Sequence, residues 1–98
     1  MVQFKDLDPL LHSQLRLAVV SLLMGVESAE FSYIKEKTGA TSGNLSVQIT
    51  KLKEAGYIKV TKKFNENYPQ TLCRITELGQ KKFGEYVKAL RDYLDPGR

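Results

Sequence analysis

Residues 41–56, T-S-G-N-L-S-V-Q-I-T-K-L-K-E-A-G, constrain the fold more than any other stretch of the chain. Leu45, Ile49 and Leu52 stand at i, i+4 and i+7, a single narrow apolar stripe with the period of a helix. Both ends carry boundary signals. Thr41 or Ser42 can cap the start, because a hydroxyl there accepts from the unpaired amides of the first turn. Gly56 stands where helices commonly end in a left-handed residue. The expected helix is therefore 42–55. At about 100° per residue, Gly43, Asn44, Val47, Thr50, Lys51 and Glu54 point away from the stripe, and Gln48 lies on its flank. A face so poor in acid and so rich in small and amide side chains suits a DNA major groove, where amides pair with base edges. An ordinary surface helix can show the same stripe, so its neighbours decide.

Upstream, Ser32 is the expected cap of a two-turn helix over 33–38, with Ile34 in the core and Gly39 closing it. Glu30-Phe31 reads as a very short strand with Phe31 turned inward. Two short helices joined by a tight turn containing glycine form a helix-turn-helix, whose second helix enters the major groove. Downstream the apolar period changes from 3.6 to 2. Residues 57–64 alternate like a half-buried strand with Ile58 and Val60 inside, 65–70 have turn composition, and 71–76 return as a second strand. A helix-turn-helix followed by a basic hairpin over 57–76 is a winged helix. Lys62, Lys63 and the tip residues Asn65 and Asn67 then lie beside the DNA backbone or in a minor groove. Lysines that guard the edges of a hairpin give the same composition.

Two longer helices flank this unit. Asp8-Pro9 is a helix-start pair, an acid at the cap and then a proline where no amide is needed, and the predicted helix covers 8–24 before Gly25. Leu11, Leu15, Ala18 and Leu22 form one stripe; Leu10, Leu17, Val20 and Met24 form another on nearly the opposite side. Such a helix is buried on two sides. Thr76-Glu77 opens the last helix, 77–94, with an acid in the first turn and Leu78 assigned to the core. Phe83, Tyr86, Val87, Leu90, Tyr93 and Leu94 make a broad stripe along it. A rod of that length, ~27 Å, outruns a small domain. Its distal half and the second stripe of the first helix are expected to pack against a second copy, holding two recognition helices ~34 Å apart. The fold class is mainly α with a small β-hairpin (α+β), one domain over 1–98. Residues 1–7 are expected to be loosely packed and 95–98 to be a tail.

Charge supports the same reading. The net +4 is not spread evenly: residues 35–74 hold eight basic and three acidic residues, and the remainder carries seven basic and eight acidic. A basic segment on a near-neutral body is the footprint of a nucleic-acid binder. No apolar run approaches the ~20 residues that span a bilayer, and the N-terminus lacks a signal pattern. A single cysteine, Cys73, cannot form an internal disulfide and fits a reducing cytoplasm. Beside Ile75 in an alternating strand, Cys73 reads as a core residue or a redox sensor. His12, between the two stripes of the first helix, reads as a surface or interface histidine. There is no glycine-rich phosphate loop and no acid or nucleophile at motif spacing from the lone histidine, so enzymatic activity is not expected. Of the five tyrosines, Tyr68 at the wing is the one not placed as a packing residue.

These residues resemble a known group. Gly43-Asn44-Leu45-Ser46, Gln48-Ile49, Leu52, Ala55-Gly56-Tyr57, Lys63-Phe64, Pro69, Thr71, Ile75-Thr76, Gly79, Phe83 and Tyr86, with Arg16-Leu17 upstream, occur in this order and spacing. The pattern is similar to that of compact single-domain winged-helix transcriptional regulators related to the MarR and ArsR families, over about residues 8–94. The resemblance implies a dimeric DNA-binding regulator, with helix 42–55 in the major groove and the wing on the backbone. Asn44, Gln48 and Lys51 are the side chains best placed for base edges, with Val47 able to touch a thymine methyl. Ser42 holds a phosphate at the helix start. Thr41, Gly43, Ser46 and Arg74 are assigned to the same DNA-facing surface. Relatives often carry an arginine and a histidine where Val47 and Gln48 stand, so base preference does not transfer. Metal-sensing ArsR members need sets of cysteine or histidine ligands. With only Cys73 and His12, on different elements, no metal site and no cofactor are expected.

Two function classes follow. One is a dimeric regulator of transcription that binds an inverted repeat in double-stranded DNA. The other is a winged-helix protein-interaction module that docks a protein through the same helix, a reading supported by Val47 on the exposed face. The segregated basic charge favours the first.

Overall fold

The computed structural model describes residues 3–97, apart from the side chain of Asn65. Its elements are α1 (Gln14–Met24), β1 (Ala29–Glu30), α2 (Phe31–Thr38), α3 (Ser42–Glu54), β2 (Ile58–Asn65), β3 (Tyr68–Ile75) and α4 (Glu77–Leu94). The strands form one antiparallel sheet in the order β1-β3-β2.

α1 starts six residues later than the Asp8-Pro9 signal predicts. Asp8 does cap, but it caps a single turn: its Oδ1 accepts from the Leu10 amide at 2.9 Å and its carbonyl from the His12 amide at 2.8 Å. A short polar side chain bonded to the amide two residues on offers the backbone an alternative to helix. The chain then extends at Ser13 (φ −151°) before α1 begins. This turn drives Leu11 into the core, where it is fully buried.

α2 begins at Phe31, two residues before its predicted start, directly out of β1. Glu30 occupies the cap position, and Ser32 instead donates to Glu30 Oε2 at 3.4 Å. α3 is capped by Thr41, whose Oγ1 accepts from the Asn44 amide at 3.2 Å. Its end is a Schellman turn: the Tyr57 amide reaches Leu52 O at 3.0 Å and the Gly56 amide reaches Lys53 O at 2.9 Å, with Gly56 at φ +81°. The hairpin turn is tighter than its composition suggested. Glu66 and Asn67 alone form it, both at positive φ (52° and 66°), as a two-residue turn matched to strand twist requires. Consequently β3 reaches back to Tyr68 and includes Pro69, opposite Phe64. Proline is tolerated there because β1 pairs only with Leu72 and Cys73, leaving the other side of β3 open at Pro69.

The core gathers Leu11, Val19, Val20, Leu23, Ile34, Leu45, Leu52, Ile58 and Cys73 where α1 meets α2, α3, β3 and α4. Two expectations are corrected here. Val20 and Tyr86 were assigned to a dimer seam, yet both are buried inside the single chain. Leu78, assigned to the core, is 42% exposed. Its neighbour Gly79 takes the inward position, packed so closely on Tyr57 that a Cβ would lie 2.2 Å from the Tyr57 carbonyl oxygen. Thr76 caps α4 by accepting from the Gly79 amide at 3.0 Å, while its own hydroxyl donates to Gly56 O at 2.6 Å. The start of α4 is thereby fastened to the end of α3.

The N-terminal segment is exposed over residues 3–6, as a loosely packed end would be, but it is tethered to the end of α4. Phe4 lies against Tyr93 with ring centroids 5.0 Å apart, and the Tyr93 hydroxyl donates to Lys5 O at 2.7 Å. Met1, Val2 and the last tail residue Arg98 lie outside the described residues.

Candidate nucleic-acid interface

α3 packs its Leu45, Ile49 and Leu52 stripe on α1 and β2 and turns its other face outward. Ser42, Gly43, Asn44, Ser46, Thr50 and Lys51 are exposed, and Val47 keeps 51% of its surface. A Cβ at Gly43 would meet nothing within 4 Å, so the glycine answers no internal packing need and leaves the first turn open to close approach. With the Asn44 amide taken by the Thr41 cap, the Ser42 and Gly43 amides remain at the helix start, where a phosphate oxygen can accept from them. Lys51 and Lys53 stand in the last turn, and the first turn holds no acid.

Gln48 differs from its neighbours. It is half-buried, and its Oε1 accepts from Arg16 Nη1 at 2.5 Å while its Nε2 donates to Asn44 Oδ1 at 3.2 Å. Arg16 is itself anchored, its Nε donating to Leu10 O at 2.6 Å. In the sequence Arg16 stands out only as part of the family resemblance. Thirty-two positions separate it from Gln48, and no local periodicity pairs them.

The wing divides its cations between two faces. Strand register places Lys59, Thr61 and Lys63 opposite Arg74, Leu72 and Gln70, whereas Lys62 and Phe64 lie opposite Thr71 and Pro69 on the other face. Lys62 and Lys63 thus point to opposite sides of one ribbon, and Asn67 sits at its tip. Phe64 (82% exposed) and Tyr68 (72% exposed) flank the turn. Among the described residues no ion pair engages Lys51, Lys62, Lys63 or Arg74. Their charge is available to a partner.

The residues assigned to a dimer seam scatter. Besides the buried Val20 and Tyr86, Leu10, Leu17, Phe83, Val87 and Leu90 are half-buried, and Met24, Tyr93 and Leu94 are exposed, Leu94 by 75%. His12 Nδ1 lies 3.0 Å from the Tyr86 hydroxyl. Cys73 is fully buried, and burial pushes its thiol pKa up. Among the described residues no group of three or more His, Cys, Asp or Glu could hold a metal ion, and no helix is long and apolar enough to cross a membrane.

Two helices joined at a left-handed Gly39 (φ +71°), the second with an outward polar face, followed by a β-hairpin, define a winged helix-turn-helix protein. The chain belongs to the winged helix DNA-binding domain family, whose pattern matches residues 15–94. Over 76 residues it is 36% identical to an uncharacterized protein of Methanocaldococcus jannaschii, covering 78% of this chain and 83% of that one. A transcriptional regulator homologue from Pyrococcus horikoshii OT3 superposes with a TM-score of 0.84 at 28% identity, over 89% of this chain and 86% of the other. The fold also matches that of a MarR-family transcriptional regulator from Silicibacter pomeroyi, with a TM-score of 0.68 at 13% identity over 90% of this chain and 60% of that chain.

Proposed function

We propose that the protein is a dimeric transcriptional regulator that reads an inverted repeat in double-stranded DNA. The observation that carries this reading is the outward face of α3, polar and without acid in its first turn, next to a wing whose Lys62 and Lys63 have no acidic partner among the described residues. Ser42 and the first-turn amides take a phosphate, Asn44, Val47 and Lys51 meet base edges, and Lys62 and Lys63 grip the backbone from the two faces of the wing. Thr41, Gly43, Ser46, Asn67 and Arg74 complete the surface, and Asn65 is placed in it by sequence position.

Shape supports the dimer. The chain measures 58 × 25 × 21 Å with a radius of gyration of 15.0 Å, where a compact domain of this length has about 13 Å. Its accessible surface is 6935 Å². A compact chain of its mass exposes roughly 5,700 Å². The protruding wing takes part of that excess. The exposed chain ends (residues 3–6 and 95–97) and the distal end of α4 (Tyr93, Leu94), with Met24, add to it, and a second copy covers that apolar stripe. A standard interface removes about 800 Å² from each partner.

Selection from a random DNA pool at ~0.15 M salt with non-specific competitor tests the reading. Enrichment of an inverted repeat supports it. Failure to enrich any sequence, with the protein folded, would instead favour the protein-docking module.

A further inference from the structure

Arginine has hydrogen-bond donors and no acceptor, and that fact fixes the orientation of two amides in turn. The Arg16 guanidinium, held by Leu10 O, can face Gln48 only if Gln48 presents its oxygen, as it does at 2.5 Å. The Gln48 Nε2 is then the atom left to face Asn44, so Asn44 must turn its oxygen toward Gln48, as it does at 3.2 Å along the helix surface. Asn44 Nδ2 is what remains for the exposed side. Asn44 also lies in the first turn of α3, three residues after the Thr41 cap, where a recognition helix meets base edges. An unconstrained asparagine offers an acceptor and a donor together and pairs with adenine N6 and N7. An asparagine whose oxygen is turned along the helix toward Gln48 leads with its N–H groups, and guanine is the base that presents two adjacent acceptors, N7 and O6.

We propose that Arg16, through Gln48, holds Asn44 as a donor toward the major groove, so that Asn44 selects guanine at one position of each half-site. The inference rests on the DNA-reading function proposed above and adds a base and a positioning residue to it. Arg16 does not touch DNA in this scheme; it acts through two side chains.

The decisive variant is Gln48→Glu. A carboxylate still accepts from Arg16, so the anchor at Leu10 is kept and the chain folds. Its second oxygen also accepts, which obliges Asn44 to turn over and donate to it. Asn44 then presents its oxygen with one remaining N–H, the adenine pattern. Random-pool selection with the parent, Asn44→Ala and Gln48→Glu proteins reads the result. The parent should enrich guanine at one position per half-site, and Asn44→Ala should relax that position alone. Gln48→Glu should move it to adenine, a change in relative preference of roughly tenfold or more. Guanine retained in Gln48→Glu would overturn the proposal. So would adenine in the parent at the position that Asn44→Ala relaxes, or an Asn44→Ala protein that weakens on all sequences alike, the mark of a phosphate contact. A parent that enriches nothing overturns the DNA reading together with the base choice. The relay is then judged in the free protein, by whether Arg16→Met shifts the NMR resonances of the Asn44 side-chain amide. Arg16 has no contact with that amide, so an unmoved signal in a folded variant overturns the relay too.

Discussion

Tyr57 donates its phenolic hydrogen to Asp8 Oδ2 over 2.5 Å, tying the residue that closes the α3 Schellman turn to the turn that precedes α1. Asp8 Oδ1 holds the Leu10 amide, Leu10 O holds Arg16, and Arg16 holds Gln48 in the middle of α3. The circuit closes through α3 back to Tyr57. α3 is therefore clamped at its middle and at its end from one N-terminal turn, and hydrogen bonds of this kind set its orientation against α1.

That clamp has a pH signature. Burial, then the bond to Asp8, pushes the Tyr57 pKa well above its ordinary value of 10.0. A group whose folded pKa is raised contributes stability that is complete below the unfolded pKa and is lost as pH climbs through the folded one. Stability should therefore be insensitive to Tyr57 below about pH 10 and fall above it. Thermal melts of the parent and Tyr57→Phe across pH 8–11.5 check this. The parent should lose its advantage over Tyr57→Phe in the alkaline range, and parallel curves would refute it.

The wing register makes a separable prediction. Because Lys62 and Lys63 face opposite sides of the ribbon, each should meet its own phosphate. Measured on a half-site, single alanine substitutions should each flatten the slope of log K against log salt by about 0.9 and the pair by nearly 2, and on the full inverted repeat by about twice as much. Loss from one lysine only would place a single wing face on the DNA.

Leu94 is the cleaner probe of assembly than Leu90, which is half-buried against its own chain. With 75% of its surface exposed, Leu94 can become glutamate at little cost to the isolated fold. Leu94→Glu should shift the light-scattering mass from a dimer toward the 11.1 kDa monomer with the helical circular dichroism retained. It should also weaken binding to an inverted repeat far more than to a half-site, because two sites bound without linkage lose avidity.

Gly79→Ala should destabilise the junction of α3 and α4. The added carbon would lie 2.2 Å from the Tyr57 carbonyl oxygen, a backbone atom that cannot swing aside. Overpacking of this kind costs typically 1–3 kcal/mol. A fall in Tm of several degrees or more is expected. Gly43→Ala, at an open helical position, should leave Tm unchanged or raise it slightly, and serves as the control.

What the residues determined by themselves was local. The Thr41 and Thr76 caps, the left-handed glycines 39 and 56, the α3 stripe and the change to a period of 2 after Gly56 all lie within one turn or one hairpin. Their hydrogen bonds join near neighbours, so side-chain type and spacing suffice to place them. The tertiary structure decided the rest. Asp8-Pro9 signals a helix start, but the Asp8 carboxylate bonds the Leu10 amide and meets Tyr57, forty-nine positions away. Val20 and Tyr86 read as apolar stripe residues, yet only the packing of the elements shows that both are buried within the single chain. Gln48 looks like a free reader on the helix flank until Arg16 arrives from α1 and takes its oxygen. A periodic pattern says which face of a helix is apolar. It does not say which distant donor will occupy a polar side chain, because that depends on how the elements pack and on which side chains then come within hydrogen-bond reach.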